Sequence, residues 1–490
     1  MSDALSDLSP QSVWGHFASL AAIPRPSGHE EKAVAFVTAV GAAIGAKAVR
    51  DARGNVVLRI PASPGREGAP PLILQTHLDM VCEKNRDVAH DFDRDPIRAR
   101  ISGDWVQASG TTLGADNGIG VAAALAAATD PAVKHGPLEL LFTLDEETGL
   151  TGAKELDPAI LSGRMLLNLD SEEDGVIFVG CAGGEDTLID VKPSFRASTF
   201  RAGALKLEVS GLRGGHSGLN IVENRGNALK LVARVLSALV EEGIPFDLAS
   251  IAGGSKHNAI PREAEAIVVC DPNAKAKLDA VTAKCLAGFR IELSKIDDGL
   301  SVAWAPCPDP PRVLATDDRD RLLRLMMALP HGVLGMSPDI PGLVETSSNL
   351  AVVKDNDAGG VRVVTSSRSS VAPSLAYVLA QVRSAASLAG ASITLRDGYP
   401  GWKPDMDSKA LAVVREVYRT QWKKEPSVTA IHAGLECGLL GEKIPGLDMV
   451  SFGPQIEGAH SPDERVNVPS VARFWGALTE VLDRLSAGAR

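Results

Sequence analysis

Three short apolar runs in the first 170 residues end on acids or a histidine, and this placement constrains the fold more than any other feature. PLILQT runs into His77 and Asp79, LELLFT into Glu146 and Glu147, and RMLLNL into Asp170. Segments with helical spacing, residues 14–22, 30–44 and 118–128, alternate with strand-like runs, and Ser27 stands where it could cap the second. Alternation of this kind predicts a parallel or mixed sheet covered by helices. In open sheets of that class, ligands gather outside the carboxyl ends of the strands. Two later positions fit the same edge. Asp116, in TTLGADNGIG, immediately precedes the Ala-rich helix, and His460, in EGAHSPDE, follows the run DMVSFG.

The pattern changes after the glycine-rich stretch 180–184. Between about 200 and 400 the strands become amphipathic and the helices longer, at 223–242, 274–289, 317–328 and 374–388. The order of strands and helices recurs there, which predicts two tandem α+β units. Residues 397–407, with two prolines and two glycines, read as a second boundary, and the tail returns to α/β character. The expected architecture is an α/β domain with a mixed sheet, residues 1–190 and 401–490, interrupted by an inserted α+β domain, 191–400. A chain of 490 residues that is 45% hydrophobic and 23% charged is long enough for more than one core. Its net charge of −11 and 4% aromatic content argue against nucleic acid and anionic membranes as partners. No run approaches the ~20 apolar residues of a membrane span. The acidic start MSDALSDLS lacks the apolar centre of a secretory leader. Six scattered cysteines without a CxxC pair read as reduced thiols. A cytoplasmic protein is expected.

His77, Asp116, Glu147, Asp170 and His460 together form a nitrogen and oxygen ligand set. Imidazole and carboxylate suit Zn2+, with Co2+ or Mn2+ as substitutes. Five ligands are too many for one tetrahedral ion but suit two ions if one carboxylate is shared. Such a pair activates a water and polarises a carbonyl oxygen. Glu146, next to a ligand but free to point elsewhere, is the candidate base. Asp79, two residues past His77, can accept the other imidazole N–H and orient the ring. Taken singly, these residues have simpler roles: Asp116 could cap its helix, and DEETG could open one. Their joint placement after successive strands favours the metal reading.

The blocks THLDM, GADNGIG, DEETG, NLD and the late GAH resemble the co-catalytic di-zinc metallopeptidases, the family that includes aminoacylases, carboxypeptidase G and peptidase T. QTHLDMVCEKN, GTTLGADNGIG, GGHSG, KHNAIPRE, SSNLA, SSRSS and HAGLECG narrow the resemblance to dipeptidases of that family, and it runs over nearly the whole chain. It implies a catalytic domain with a lid domain. It also implies His77 and Asp170 on separate zinc ions, Asp116 bridging, Glu147 and His460 completing the shells, and Glu146 deprotonating the bridging water. His216 of GGHSG would help polarise the scissile carbonyl, Asn258 would contact substrate, and Arg368 of SSRSS would grip the terminal carboxylate, as a guanidinium fork suits. From the residues alone, His216 could equally mark a tight glycine turn and Arg368 a solvated strand end. The implied substrates are unblocked dipeptides, Xaa-His among them, and a homodimer is expected by analogy. The same fold would serve an N-acyl amino-acid hydrolase or a tripeptide aminopeptidase. A non-catalytic peptide binder would be expected to lack a ligand or the base, and none is missing. His432 and Glu436, in IHAGLECG, could line the pocket or support it. Cys82 and Cys437 read as small buried thiols.

Overall fold

The structure, a computed structural model, describes residue 5 and residues 7–200, 203–396 and 398–487. The first residues of the N-terminal stretch and Asp397, the first residue of the expected second boundary, lie outside them. The chain folds into two compact units. One comprises residues up to Cys181, Trp402–Ala430, and the chain from Leu435 onward; the other comprises Ala182–Gly401 and the short segment Ile431–Gly434.

The first unit is built on an eight-stranded sheet. Its strand order is Lys47–Arg50, Val56–Ile60, Leu138–Thr143, Leu72–His77, Met165–Asn168, Asp448–Ser451, Val176–Cys181 and Ser427–Ile431. The four strands from Leu138–Thr143 to Asp448–Ser451 run parallel. Leu72–His77 and Leu138–Thr143 are buried at every position, as expected of parallel strands covered on both faces. Three of these parallel strands are the runs that end in polar residues, so their register brings those ends to one edge. Helix Ala115–Thr129 packs on Leu72–His77 and on helix Gln11–Ala21, and its alanines are buried almost throughout. A small antiparallel sheet, which includes Arg465–Asn467 and Trp105–Ala108, anchors the chain after His460.

Among the described residues, the second unit carries two sheets of two strands and an antiparallel sheet of nine strands, which spans both expected α+β units. Its two halves, one centred on Ala204–Ser210 and Ala264–Cys270, the other on Val344–Asp355 and Val361–Ser369, meet where Gly253 pairs with Val353. Helices Ala228–Glu241, Lys275–Glu292, Thr316–Ala328 and Ala372–Leu388 belong to this unit, and a continuous apolar core joins residues of all four to the sheet.

Three local readings of the sequence change. The stretch 180–184 is not a loop: strands Val176–Cys181 and Gly183–Val191 run almost through it, and the first unit gives way to the second between them. Glycine is needed at 183 because a Cβ there would lie 2.4 Å from the Gly401 nitrogen. The helix expected from residue 223 begins at Ala228, since Asn224 is left-handed and the Asn227 side chain accepts the Lys230 N–H as a cap. Ser27 caps nothing; its hydroxyl donates to Asp79 Oδ2 at 2.7 Å. All six cysteines are free, Cys437 buried and Cys82 only partly so. Among the described residues, no helix is long and apolar enough to cross a membrane.

Candidate metal centre and substrate-binding residues

His77 ends its strand pointing into the edge formed by the parallel strands, and its Nε2 lies 3.1 Å from Asp116 Oδ1 and 3.3 Å from Asp170 Oδ1. His460, in the left-handed region at φ +62°, places its Nε2 3.2 Å from Asp116 Oδ2 and 3.0 Å from Glu147 Oε2. Two three-residue sets, His77–Asp116–Asp170 and Asp116–Glu147–His460, therefore share Asp116, one carboxylate oxygen facing each set, and in each set the donor atoms lie within 4.8 Å of one another. All five ligands expected from the sequence come together.

Asp79 is fully buried. Its Oδ1 lies 3.3 Å from His77 Nδ1 and accepts the Glu146 N–H, while Oδ2 accepts the Glu147 N–H. One carboxylate thus ties the His77 strand to the Glu146–Glu147 turn. Asp116 is non-helical, and its side-chain oxygens face His77 and His460 instead of capping the helix that follows. Asn117, not singled out in the sequence, donates to the Leu169 carbonyl and to Asp170 Oδ1, and so positions that ligand.

The residues fit a pair of cations. Burial pushes the Asp170 carboxyl up to about 7 and raises Glu146 well above its ordinary value, with neighbouring acids adding to both and His77 opposing. Burial would also raise Asp116, but hydrogen bonds with His460 and His77 hold it below the usual carboxylate range. Hydrogen bonding to Asp116 and then Glu147 lifts His460 to about 11. The second oxygen of Glu147 is buried without a partner. Crowded acids that only two imidazoles offset are what divalent ions would neutralise.

Glu436 is also in this unit. Fully buried, it accepts from Gln75 Nε2 and Thr143 Oγ1, leaves its other oxygen unpartnered, and is pushed by burial to about 7. Gln75 in turn accepts from Asn168, so a polar layer crosses the parallel strands two residues before His77 and Asp170.

The candidate substrate residues lie in the second unit. His216 sits on a two-residue strand paired with Ala259–Ile260. Its Nδ1 accepts the N–H groups of Gly218 and Leu219, which leaves the proton on Nε2. Burial, then Arg368, lowers its pKa, so the ring is a neutral N–H donor. Asn258 precedes the paired strand, and its carbonyl accepts the Ser217 N–H. Arg368 is 7% exposed, donates to the Tyr399 hydroxyl, and forms no ion pair among the described residues; its Nε is buried without a partner. His432 bonds Ser347 Oγ through Nε2 and, by burial and then Arg368, falls to about 4.

Residues 73–484 match the model of the peptidase family M20/M25/M40. The chain belongs to that family. It is 42% identical over 483 residues to the cytosol non-specific dipeptidase of Escherichia coli (strain K12), covering 99% of both chains. It matches the crystal structure of aminoacylhistidine dipeptidase from Vibrio alginolyticus with a TM-score of 0.94 at 41% identity, over 99% of this chain and 98% of that one. Its fold is also shared with the aminopeptidase PepT from Bacillus cereus ATCC 10987, TM-score 0.57 at 15% identity, over 98% of this chain and 99% of that one. The family is one of metallopeptidases, and the close relatives are dipeptidases.

Proposed function

We propose that this chain is a cytoplasmic, zinc-dependent dipeptidase that hydrolyses unblocked dipeptides, Xaa-His substrates such as β-Ala-His among them. The observation that carries the reading is Asp116, whose two oxygens face His77 and His460 in two ligand sets with Glu146 beside them. His77, Asp116 and Asp170 would hold one ion, and Asp116, Glu147 and His460 the other; Co2+ or Mn2+ would substitute for Zn2+. Such ions, when bound, polarise a carbonyl and make a water acidic. Glu146 takes the proton of the attacking water and returns it to the leaving amine. Asp79 fixes the His77 ring and the backbone of Glu146 and Glu147. His216 donates its Nε2–H to the scissile carbonyl oxygen as charge builds there. Asn258 contacts the peptide, and Arg368 takes its terminal carboxylate.

A substrate panel with metal-stripped and zinc-reloaded protein tests the reading. Dipeptides should be cleaved only after reloading, and faster than an acetylated amino acid or a tripeptide. Preference for either of the latter would move the assignment to an acylase or a tripeptidase. Arg368→Ala should lower kcat/KM on dipeptides with a free carboxylate by about 10²-fold, from the loss of a desolvated charge pair, with a much smaller loss on carboxyl-amidated analogues. Equal losses on both would remove the carboxylate role.

A further inference from the structure

Two buried charged residues, Arg25 and Glu464, account for parts of the sequence that the catalytic roles leave unexplained. Arg25 is 2% exposed, yet its guanidinium touches only backbone: Nη1 donates to the carbonyls of Leu78 (2.9 Å) and Asp79 (2.7 Å), and Nη2 to that of Gly114 (2.5 Å). Glu464, also 2% exposed, accepts four consecutive amides. Oε2 takes Leu113 and Gly114 at 2.7 and 2.9 Å; Oε1 takes Ala115 and Asp116 at 2.7 and 3.2 Å. The turn Leu113–Asp116 is therefore gripped by its amides and by one of its carbonyls, by opposite charges that form no direct ion pair among the described residues.

The glycines of GADNGIG fit this arrangement. A Cβ at Gly114 would lie 2.5 Å from Arg25 Nη2, and one at Gly118 2.8 Å from it. These positions admit the guanidinium rather than provide general flexibility. Every bond in the set ends on a segment that carries a ligand. Leu78 and Asp79 follow His77, Leu113–Asp116 ends on the shared aspartate, and Glu464 lies four residues after His460 in a turn closed by Ser461 and Gly458.

We propose that Arg25 and Glu464 are a positioning pair that presets the segments bearing His77, Asp116 and His460 for both metal ions. The four acids at the centre repel one another before any ion arrives, so the cost of gathering them would otherwise be drawn from metal binding. A guanidinium and a carboxylate anchored on backbone meet that cost during folding. The carboxylate takes all four amides of a turn that leads into the helix but is not itself regular helix, since Asp116 and Asn117 are non-helical. Glu464 is the foremost charge supporting the buried Arg25. This inference rests on the metal-site reading above.

The test is Zn2+ affinity measured by chelator competition, together with the rise in Tm on adding Zn2+. Glu464→Gln keeps the shape but turns an NH2 toward amide donors. It should weaken both ions together by about 10- to 100-fold, the range seen when groups that orient ligands are removed, and shrink the zinc-dependent rise in Tm. Arg25→Lys should fall between wild type and Arg25→Met, because it keeps the charge but loses the fork. If Arg25→Met does not fold, Glu464→Gln and Arg25→Lys still decide the matter. A core variant in helix Val468–Ala487, Leu478→Ala, should lose stability and keep zinc affinity, so that general destabilisation is told apart from positioning. Wild-type affinity in Glu464→Gln would overturn the pair's role. Failure of the wild type to bind Zn2+, or retention of both ions by Asp116→Ala, would instead overturn the metal site itself.

Discussion

Glu146→Gln should cut kcat by about two to four orders of magnitude, the usual worth of a positioned acid–base group, while the protein keeps its full metal content. Glu146 and Glu147 are neighbours whose amides are held by one Asp79 carboxylate, yet their side chains do different things. Glu147 reaches His460 and belongs to the set that shares Asp116. Glu146 makes no side-chain hydrogen bond or ion pair among the described residues, and burial holds its carboxyl well above the ordinary value. A carboxyl with a raised pKa both accepts a proton from water and gives it up to an amine near neutrality, as this reaction needs. The two neighbours should therefore separate: Glu147→Gln should lose metal affinity first, Glu146→Gln turnover at full loading. Metal analysis beside single-turnover kinetics reads both. A Glu146→Gln protein that stayed nearly as active as wild type would dismiss this base.

The candidate cluster was legible because strand period and residue chemistry coincide. An apolar run that stops at a histidine or an acid marks both the strand's end and the side of the sheet on which a polar group emerges, and His77, Glu147 and Asp170 were found that way. Asp116 and His460 followed from the same edge. What the sequence hid has partners far away along the chain. Glu464 binds the Leu113 amide across 351 positions, and Arg25 binds Gly114 across 89. Nothing in either residue's neighbourhood signals a backbone partner, since local patterns report periodicity and caps and these bonds are neither. Ser27 misled for the same reason: a serine before a helix is ordinarily a cap, and only the fold brings Asp79 to it. The glycine at 183 has a reason that the sequence does not show, the close approach of Gly401. The long strand Val344–Asp355 went unread because its Thr-Ser-Ser-Asn stretch is polar and yet buried at every residue. Its hydroxyls pair with those of the neighbouring strand, Thr346 with Ser369 and Ser348 with Ser367, which a hydrophobic pattern cannot register.

Asp116→Ala should abolish activity, a loss of about 10⁴-fold or more out of the ~10⁶-fold or greater acceleration enzymes reach, and should do so by releasing both ions at once. The arrangement of its oxygens requires this. Oδ1 faces His77 and Oδ2 faces His460, so removing one side chain takes a donor from both sets. The same change takes the charge that holds both imidazoles in place. Asp170→Ala and His460→Ala each strip a single set, so in those variants one ion should weaken well before the other. Zinc titration followed by calorimetry distinguishes the patterns: two weakened sites in Asp116→Ala, one weakened and one preserved in the other two. An Asp116→Ala protein that kept one ion at wild-type affinity would show that the aspartate serves one ion only, and the five ligands would then have to be redivided between two independent sites.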